Sequence, residues 1–522
     1  MKTEKAIFFL TFSLALLGLG MVIYSIIYPV TNYPFQIGWS ESGKIYAAYQ
    51  FYAPIITGKF YGWPWMDAGR SLLDGLVFLI PNVQIWVYRK WVPFLFLISN
   101  FCISGAIIIK ASLLSDQKKI GKEAWLKWLM ILWGTLFLLQ GPVYYHVSFG
   151  IVPVIWFYDS KKYSRTLLII GLASIWEGLC RANWFLMPAT VAIMIYLFQE
   201  KFSWKYFWKY IRWPVAWIFT GSILSFSVYY LYNRLIGYPP TVLNSEMQYG
   251  FFRSKLWPND AFSMGLIPGI FALTLPVILL LILFIWRRWK FVRWERLLAI
   301  ICFLGIYFVG GTIVSMRAGG GYDLHNYDTF FVLLLLFMSF TGLGAVNPEK
   351  EPGWQYFAEK KWGFMFLLLI IPVVSLYNTM PSNSSFPTVE ETQVGIDRLN
   401  DYIQLVKHDS RPVLFINERH LFAFGLLPPI DIYLPYEQLE LMEMAMAGND
   451  PYLAQFWSDV ESQKFSIIIS ERLFQSKQTP SDNPFWFENN VWSSAVAYPV
   501  QTSYQLSYQN RDLGFEVYLP KP

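Results

Sequence analysis

Long apolar runs separated by short polar turns fill the first 377 residues. Such runs predict membrane-crossing helices, since a bilayer takes ~20 apolar residues to span. We read crossings at 6–28, 91–113, 128–146, 147–158, 166–179, 184–198, 213–233, 264–286, 297–315, 329–345 and 363–377. The stretch 128–198 is the least regular and holds either four spans, several of them short or broken, or fewer. Residues 72–88 read as an amphipathic segment lying in the interface, because Asp74, Asn82 and Gln84 interrupt an apolar set.

The pattern changes after residue 378. Residues 381–387 form a Pro- and Ser-rich linker. Thr388 and Glu391 then have capping-box spacing, in which two side chains satisfy orphan backbone donors at a helix start. Ile396, Leu399, Ile403 and Val406 make one apolar face of that helix. Residues 413–416 and 465–469 read as buried strands, with helices near 436–447 and 450–461 between them. Later strands are predicted at 494–498, 503–509 and 514–519. The division is a polytopic α-helical membrane domain over 1–377 and a soluble α/β domain over 378–522.

Composition agrees with that class. The chain has 522 residues, 55% of them hydrophobic and only 15% charged, where soluble domains carry about 25% charged residues. A net charge of +6 is too modest to point to nucleic acid. Its placement is more informative. With the N-terminus inside, the short inner turns hold the basic groups near 118–127, 161–165, 201–212, 287–296 and 350–361. The outer segments before the tail are longer together and hold fewer: Lys44, Lys59, Arg70, Arg89, Lys90, Arg181, Arg234, Arg253, Lys255 and Arg317. The positive-inside rule favours this orientation, and an odd number of crossings places the tail outside. Met1 to Lys5 precede an apolar run with no small-residue cleavage site, so the first helix is expected to be retained. Cys102, Cys180 and Cys302 all fall in apolar runs without metal-like spacing and read as packing residues.

Candidate chemistry gathers at the outer face. One loop runs from Arg317 through three glycines to Asp323, His325, Asn326, Tyr327 and Asp328. Glycines let backbone N–H groups approach an anion, and Arg offers a planar fork for phosphate. Polar groups at a membrane face are costly and usually mark a site. The alternative is a tight turn with a snorkelling Arg. The first outer loop, about 29–90, offers Glu41, Lys44, Asp67, Arg70 and Asp74. A carboxylate shielded by Trp39 and Tyr46, as Glu41 is, can accept a proton from an attacking hydroxyl; its ordinary role would be to cap the helix starting near Lys44. Glu177 and Arg181 are four apart and are expected to pair on one helix face, although Arg181 is also within reach of a phosphate. Gln140, Tyr144, Tyr145 and His146 close another crossing as an interfacial belt. His325, His146 and Asp323 include metal-ligand types, yet no element fixes their spacing, so a divalent cation has no support from it. The tail shows no phosphate loop or catalytic triad. Its stretch 431–437 is aromatic and acidic, suiting either ordinary packing or sugar stacking.

Together these features resemble the integral-membrane glycosyltransferases of the GT-C fold, the class of protein mannosyltransferase-like and lipid A aminoarabinose transferase-like enzymes. Members share a first helix, a long outer loop with an acidic motif near its start, interface helices in that loop, and a late outer loop with a basic residue, a Gly-rich turn, then Asn-Tyr and an acid. Ser40-Glu41-Ser42 stands at the acidic motif, and Arg317, Gly319, Gly320, Asn326, Tyr327 and Asp328 match the late loop. Most members carry Asp, or a pair of acids, where this chain has a single Glu, so Asp67 and Asp74 are alternate bases. The resemblance implies inverting transfer of a sugar from a polyprenyl-phosphate donor to a lipid, glycan or protein acceptor. The setting would be the outer face of a prokaryotic plasma membrane. In that scheme Glu41 is the base. Arg317, the glycine amides, Arg181, Lys44 and Arg70 hold the lipid phosphate, and Asp323, His325, Asn326, Tyr327 and Asp328 orient it or the sugar. A transporter or flippase for a lipid-linked saccharide would share the phosphate contacts. The chain shows no repeat of hydropathy, and its polar residues gather at one face rather than the midplane, which favours an enzyme. A non-catalytic envelope scaffold with a glycan- or partner-binding tail is the third reading.

Overall fold

The computed structural model describes residues 2–28, 31–65, 67–115, 124–141, 143–237, 252–287, 294–317, 323–346, 353–378, 386–479 and 482–522. Gly319 and Gly320 of the late loop and most of the 381–387 linker lie outside those residues.

A helix lies over each apolar run. The first outer loop carries α2 (Glu41–Thr57) and α3 (Ala68–Asp74), between α1 (Lys2–Ile27) and α4 (Ile85–Leu114). There follow α5 (Ala124–Leu139), α6 (Ser148–Phe157), α7 (Tyr163–Gly178), α8 (Met187–Gln199) and α9 (Phe207–Leu235). The bundle ends with α10 (Leu266–Arg287), α11 (Trp294–Met316), α12 (Asp328–Gly342) and α13 (Gly353–Asn378). Among the described residues, seven helical segments are long and apolar enough to cross a membrane. The chain is thus a mostly helical, multi-pass membrane protein.

Short and long helices occupy different places. In α12, Phe331, Val332, Leu335 and Leu336 are fully buried, and so are Met187, Val191 and Ile195 of α8. These helices are apolar all round because other helices surround them. Outer helices leave large apolar side chains uncovered: Phe9 and Leu10 on α1, Phe219 and Ile223 on α9, Ile306 and Val309 on α11. Those faces suit lipid. Cys180 is buried, whereas Cys102 and Cys302 face out of the bundle rather than packing inside it.

The interface segment expected at 72–88 is not one helix. The chain leaves α3, makes a 3₁₀ turn at Gly75–Leu79, and enters α4 at Ile85, ahead of the predicted start at 91. Asp74 does not interrupt an apolar face toward water; it turns inward, where Arg70, Tyr88 and Tyr145 satisfy it.

The C-terminal part forms a four-stranded mixed sheet in the order β1-β2-β4-β3, from β1 (Val413–Phe415), β2 (Ile467–Glu471), β3 (Tyr504–Asn510) and β4 (Phe515–Pro520). β1 and β2 are parallel, with Val413 opposite Ile467, and α15 (Gln438–Met446) and α16 (Asp450–Glu461) lie in the crossover. The remaining pairs are antiparallel. The capping box at Thr388 and Glu391 starts α14 (Val389–Leu405), which buries Ile396, Leu399 and Ile403 on one face of the sheet. The strand predicted at 494–498 is instead helical, within a run from Trp486 to Ser503. Trp492, Val496 and Val500 recur every four residues and are all buried, so a helical period won over a short apolar run.

The two parts interlock. Phe35 of the first outer loop is fully buried among Leu399, Leu421 and Phe515, and its ring stacks on Phe515 with centroids 5.3 Å apart. The His420 ring meets the Pro34 carbonyl at 2.7 Å.

Candidate functional site

A cavity of about 340 Å³ opens between the first outer loop and the C-terminal part. Lys44, Asp67, Arg70 and Asp74 line it from the loop, and Arg419, Leu434, Glu437 and Glu440 from the other side. Three local features aim these side chains. Helix α2 begins at Glu41, which puts Lys44 in its first turn. Asp67 sits immediately before α3 with φ of 49°, a left-handed conformation that Asp tolerates better than most residues. Gly69 then packs the loop onto the turn after α7: its N–H donates to the Leu179 carbonyl at 2.9 Å, and a Cβ there would lie 2.5 Å from the Cys180 sulfur. Arg181 follows directly in that turn, so this close approach brings it to the loop.

Tyr144 links the parts. Its ring takes the Arg181 guanidinium at 5.1 Å and that of Arg70 at 5.7 Å, and its centroid lies 5.9 Å from His325. Arg181 donates from Nη2 to Asn326 Oδ1 at 3.4 Å, and Asn326 in turn donates to the Ser315 hydroxyl at 3.2 Å. Asp323 pairs with His325, whose backbone N–H also donates to it at 3.2 Å. The first and late outer loops therefore do meet, through Tyr144 and Arg181. Tyr327 fills the space over Gly311 and donates to Thr312 at 2.9 Å, which anchors the late loop rather than presenting this side chain to the cavity. Asp328 is fully buried at the start of α12 and accepts from the Thr329 N–H at 2.7 Å.

The cavity mixes charges: Lys44, Arg70 and Arg419 face Asp67, Asp74, Glu437 and Glu440. Arg181 does not line it, but its charge, like that of Arg70, acts on Lys44. Burial, then the charge of Arg70, pulls the Lys44 ammonium down to about 8. Burial lifts the Asp74 carboxyl above the ordinary carboxylate range, although Arg70 and three hydrogen bonds oppose it. Arg70 Nε donates to Asp74 at 3.4 Å and to the Tyr145 hydroxyl at 3.0 Å, and Tyr145 itself bonds Asp74. Asp74 thus holds Arg70 in place; its oxygens are already in use.

The other sequence candidates lie in different surroundings. Glu41 does not line the cavity. Arg89 binds it through two bonds of 2.8 and 3.0 Å, and the Ile37 N–H donates to it at 2.6 Å. Burial raises this carboxyl, but Arg89 and the Ile37 N–H outweigh it and hold it below the usual range. Arg317 does not reach Glu41, whose charged neighbours are Arg89 and His420; the Arg317 carbonyl instead accepts from Lys255 at 2.8 Å. The Glu177–Arg181 pair does not form, because α7 ends at Gly178 and the helical spacing is lost. The Glu177 carboxyl presses on Gly150 instead. Among the described residues there is no group of three metal-ligating side chains. The rings in 431–437 pack inward, Tyr436 among Tyr433, Tyr452 and Phe456, rather than offering a stacking platform.

Sequence reasoning also passed over residues that matter here. Tyr144 and Tyr145 looked like an interfacial belt, yet their adjacency to Gln140 and His146 was a sign of unusual polarity at a helix end. Arg89 was counted only as an outer cation. Nothing local marks Arg419 or Glu437, which reach the cavity by long-range docking alone.

No family model matches the chain, and no curated protein matches it. Among solved structures it is similar to the crystal structure of ArnT from Cupriavidus metallidurans in the apo state, with 10% identical residues, 96% of this chain and 97% of that chain covered, and a TM-score of 0.41.

Proposed function

We propose that this protein is a membrane glycosyltransferase that moves a sugar from a polyprenyl-phosphate-linked donor to an acceptor at the extracytoplasmic face. The observation that carries the reading is the gathering of Lys44, Arg70 and Asp67 on one cavity beside the membrane helices, with Arg181 held next to Arg70 by the Tyr144 ring they share. The ordering of the two outer loops, which resembles GT-C enzymes, supports it. In this reading residues 1–377 carry the transfer site and 378–522 close it from outside, with the N-terminus in the cytoplasm.

The chemistry follows from charge. The acceptor hydroxyl attacks the anomeric carbon, a new C–O bond forms, and the bond to the phosphate oxygen breaks with inversion. Asp67 takes the hydroxyl proton. Negative charge grows on the leaving phosphate, and fixed cations aimed at it stabilise the transition state more than the ground state. Asp74 and Tyr145 position Arg70, and Asn326 positions Arg181, so that little reorganisation is needed when charge develops. His325 and Asp323 flank Tyr144 at the late-loop edge and are suited to orienting the donor.

The test uses the full-length protein in proteoliposomes with a radiolabelled polyprenyl-phospho-sugar and candidate lipid, glycan and protein acceptors. Label on an acceptor, with polyprenyl phosphate released, is the expected result. Movement of intact label across the bilayer without bond cleavage would replace the enzyme with a transporter. Neither event would leave a scaffold.

A further inference from the structure

A second cavity lies at the opposite, lysine- and arginine-rich end of the bundle, where α8 finishes and α9 and α11 begin. Both α9 and α11 pack on α8, and a groove of about 430 Å³ runs between them. That is within the ~300–1,000 Å³ typical of ligand sites. Ile193 and Leu197, Ile211, Val215 and Ile218, and Leu298 and Phe303 make its walls. Facing helices of a membrane protein have no reason to leave such a gap empty, because hydrocarbon chains surround them.

Its mouth is not apolar. Glu295 and Arg296 are consecutive and both line it. Arg296 is buried beside Tyr210, and Glu295 turns into the groove a buried carboxylate oxygen that no described residue hydrogen-bonds. Lys205 lies in the turn before α9, and Lys209 and Arg212 in the first two turns of α9. A cation and an anion side by side at the end of an apolar channel complement a zwitterion better than a simple anion.

We propose that this groove is a binding site for one phospholipid with a primary-ammonium headgroup, of the phosphatidylethanolamine type. One acyl chain lies between α9 and α11, the phosphate meets Arg296, and the ammonium donates to Glu295. The site is remote from the outer cavity and does not depend on the reaction assigned there.

Native mass spectrometry of the full-length protein, stripped of lipid and then exposed to phosphatidylethanolamine, phosphatidylcholine or phosphatidylglycerol, tests it. Phosphatidylcholine keeps the charges but has no N–H to donate. The wild type is expected to retain phosphatidylethanolamine about tenfold better than the other two, in line with one hydrogen bond to a charged group. Glu295→Gln should erase that preference while still binding phospholipid, and Val215→Trp, which fills the groove without touching the mouth, should lower retention of all three. Equal retention of the three lipids by the wild type, or a preference that survives Glu295→Gln, overturns the proposal.

Discussion

Two arginine–carboxylate pairs in the first outer loop end in opposite states. Arg89 is saturated. It binds both oxygens of Glu41 and donates further to the carbonyls of Thr31, Tyr33 and Phe35. With its side chain 8% exposed and every nitrogen engaged, it ties the irregular segment 31–37 into a knot under the C-terminal sheet. Arg70 spends only Nε, on Asp74 and Tyr145, and among the described residues its two Nη groups make no hydrogen bond where it lines the cavity. The same pair of residue types therefore serves fold in one place and leaves donors for a ligand in the other. What separates them is the number of protein acceptors within reach of the guanidinium.

That contrast can be broken most sharply at the carboxylates. Asp67→Asn should lower sugar transfer ~10²–10⁴-fold, the usual contribution of one positioned base, with an unchanged unfolding midpoint. Glu41→Gln, assayed beside it, should keep its turnover per folded molecule. If the two variants exchanged these behaviours, the cavity would not be the site. Next in size is Arg89→Met, which strands a partly buried carboxylate and three carbonyls. A loss of about 3–5 kcal/mol is expected for breaking such a pair, read as a drop in denaturation midpoint. Wild-type stability with lost transfer would move Arg89 from the fold to the reaction.

Arg70→Lys should cost about tenfold in kcat/KM with little change in stability. An ammonium cannot bond Asp74 and Tyr145 and still present a planar fork to phosphate. The smallest effect concerns pH, and here the two regions have different dependences. Lys44 has a folded value of about 8, below its unfolded value of ~10.4. The penalty of burying its ammonium is thus present below about 8 and is relieved as pH rises toward the unfolded value, so stability increases across that window. Phosphate binding runs the other way and weakens above about 8 as the charge is lost; Lys44→Arg should abolish that limb of the kcat/KM profile. Glu41 lies below its unfolded value, so its contribution is complete above that value and disappears as pH falls through the folded one. Acid should loosen the Arg89 knot, while alkali should empty the phosphate site.

How far such a contrast could be read beforehand differs by residue. Lys44, Arg70, Asp67 and Arg181 were legible as candidates because polar groups stand out against apolar runs. Their ranking was not. Glu41 looked like the base because its neighbours in sequence are aromatic and polar, while its partner Arg89 is 48 residues away. The Glu177–Arg181 pair failed for a local reason: the helix ends at Gly178, so Arg181 lies beyond it and the spacing of four no longer sets a shared face.

The apolar runs by themselves determined the helices, because in hydrocarbon every backbone polar group must be bonded within its own segment. Capping at Thr388 and the strands at Val413–Phe415 and Ile467–Glu471 were equally local matters. Tertiary structure alone decided which carboxylates are free. That depends on what else reaches the same oxygen: Tyr145 and Tyr88 at Asp74, Arg89 at Glu41, and, across the docking of the C-terminal part, Glu437 against Gly43 beside Lys44. Saturation of a hydrogen-bonding group is a property of its surroundings in space, and distance along the chain does not encode it.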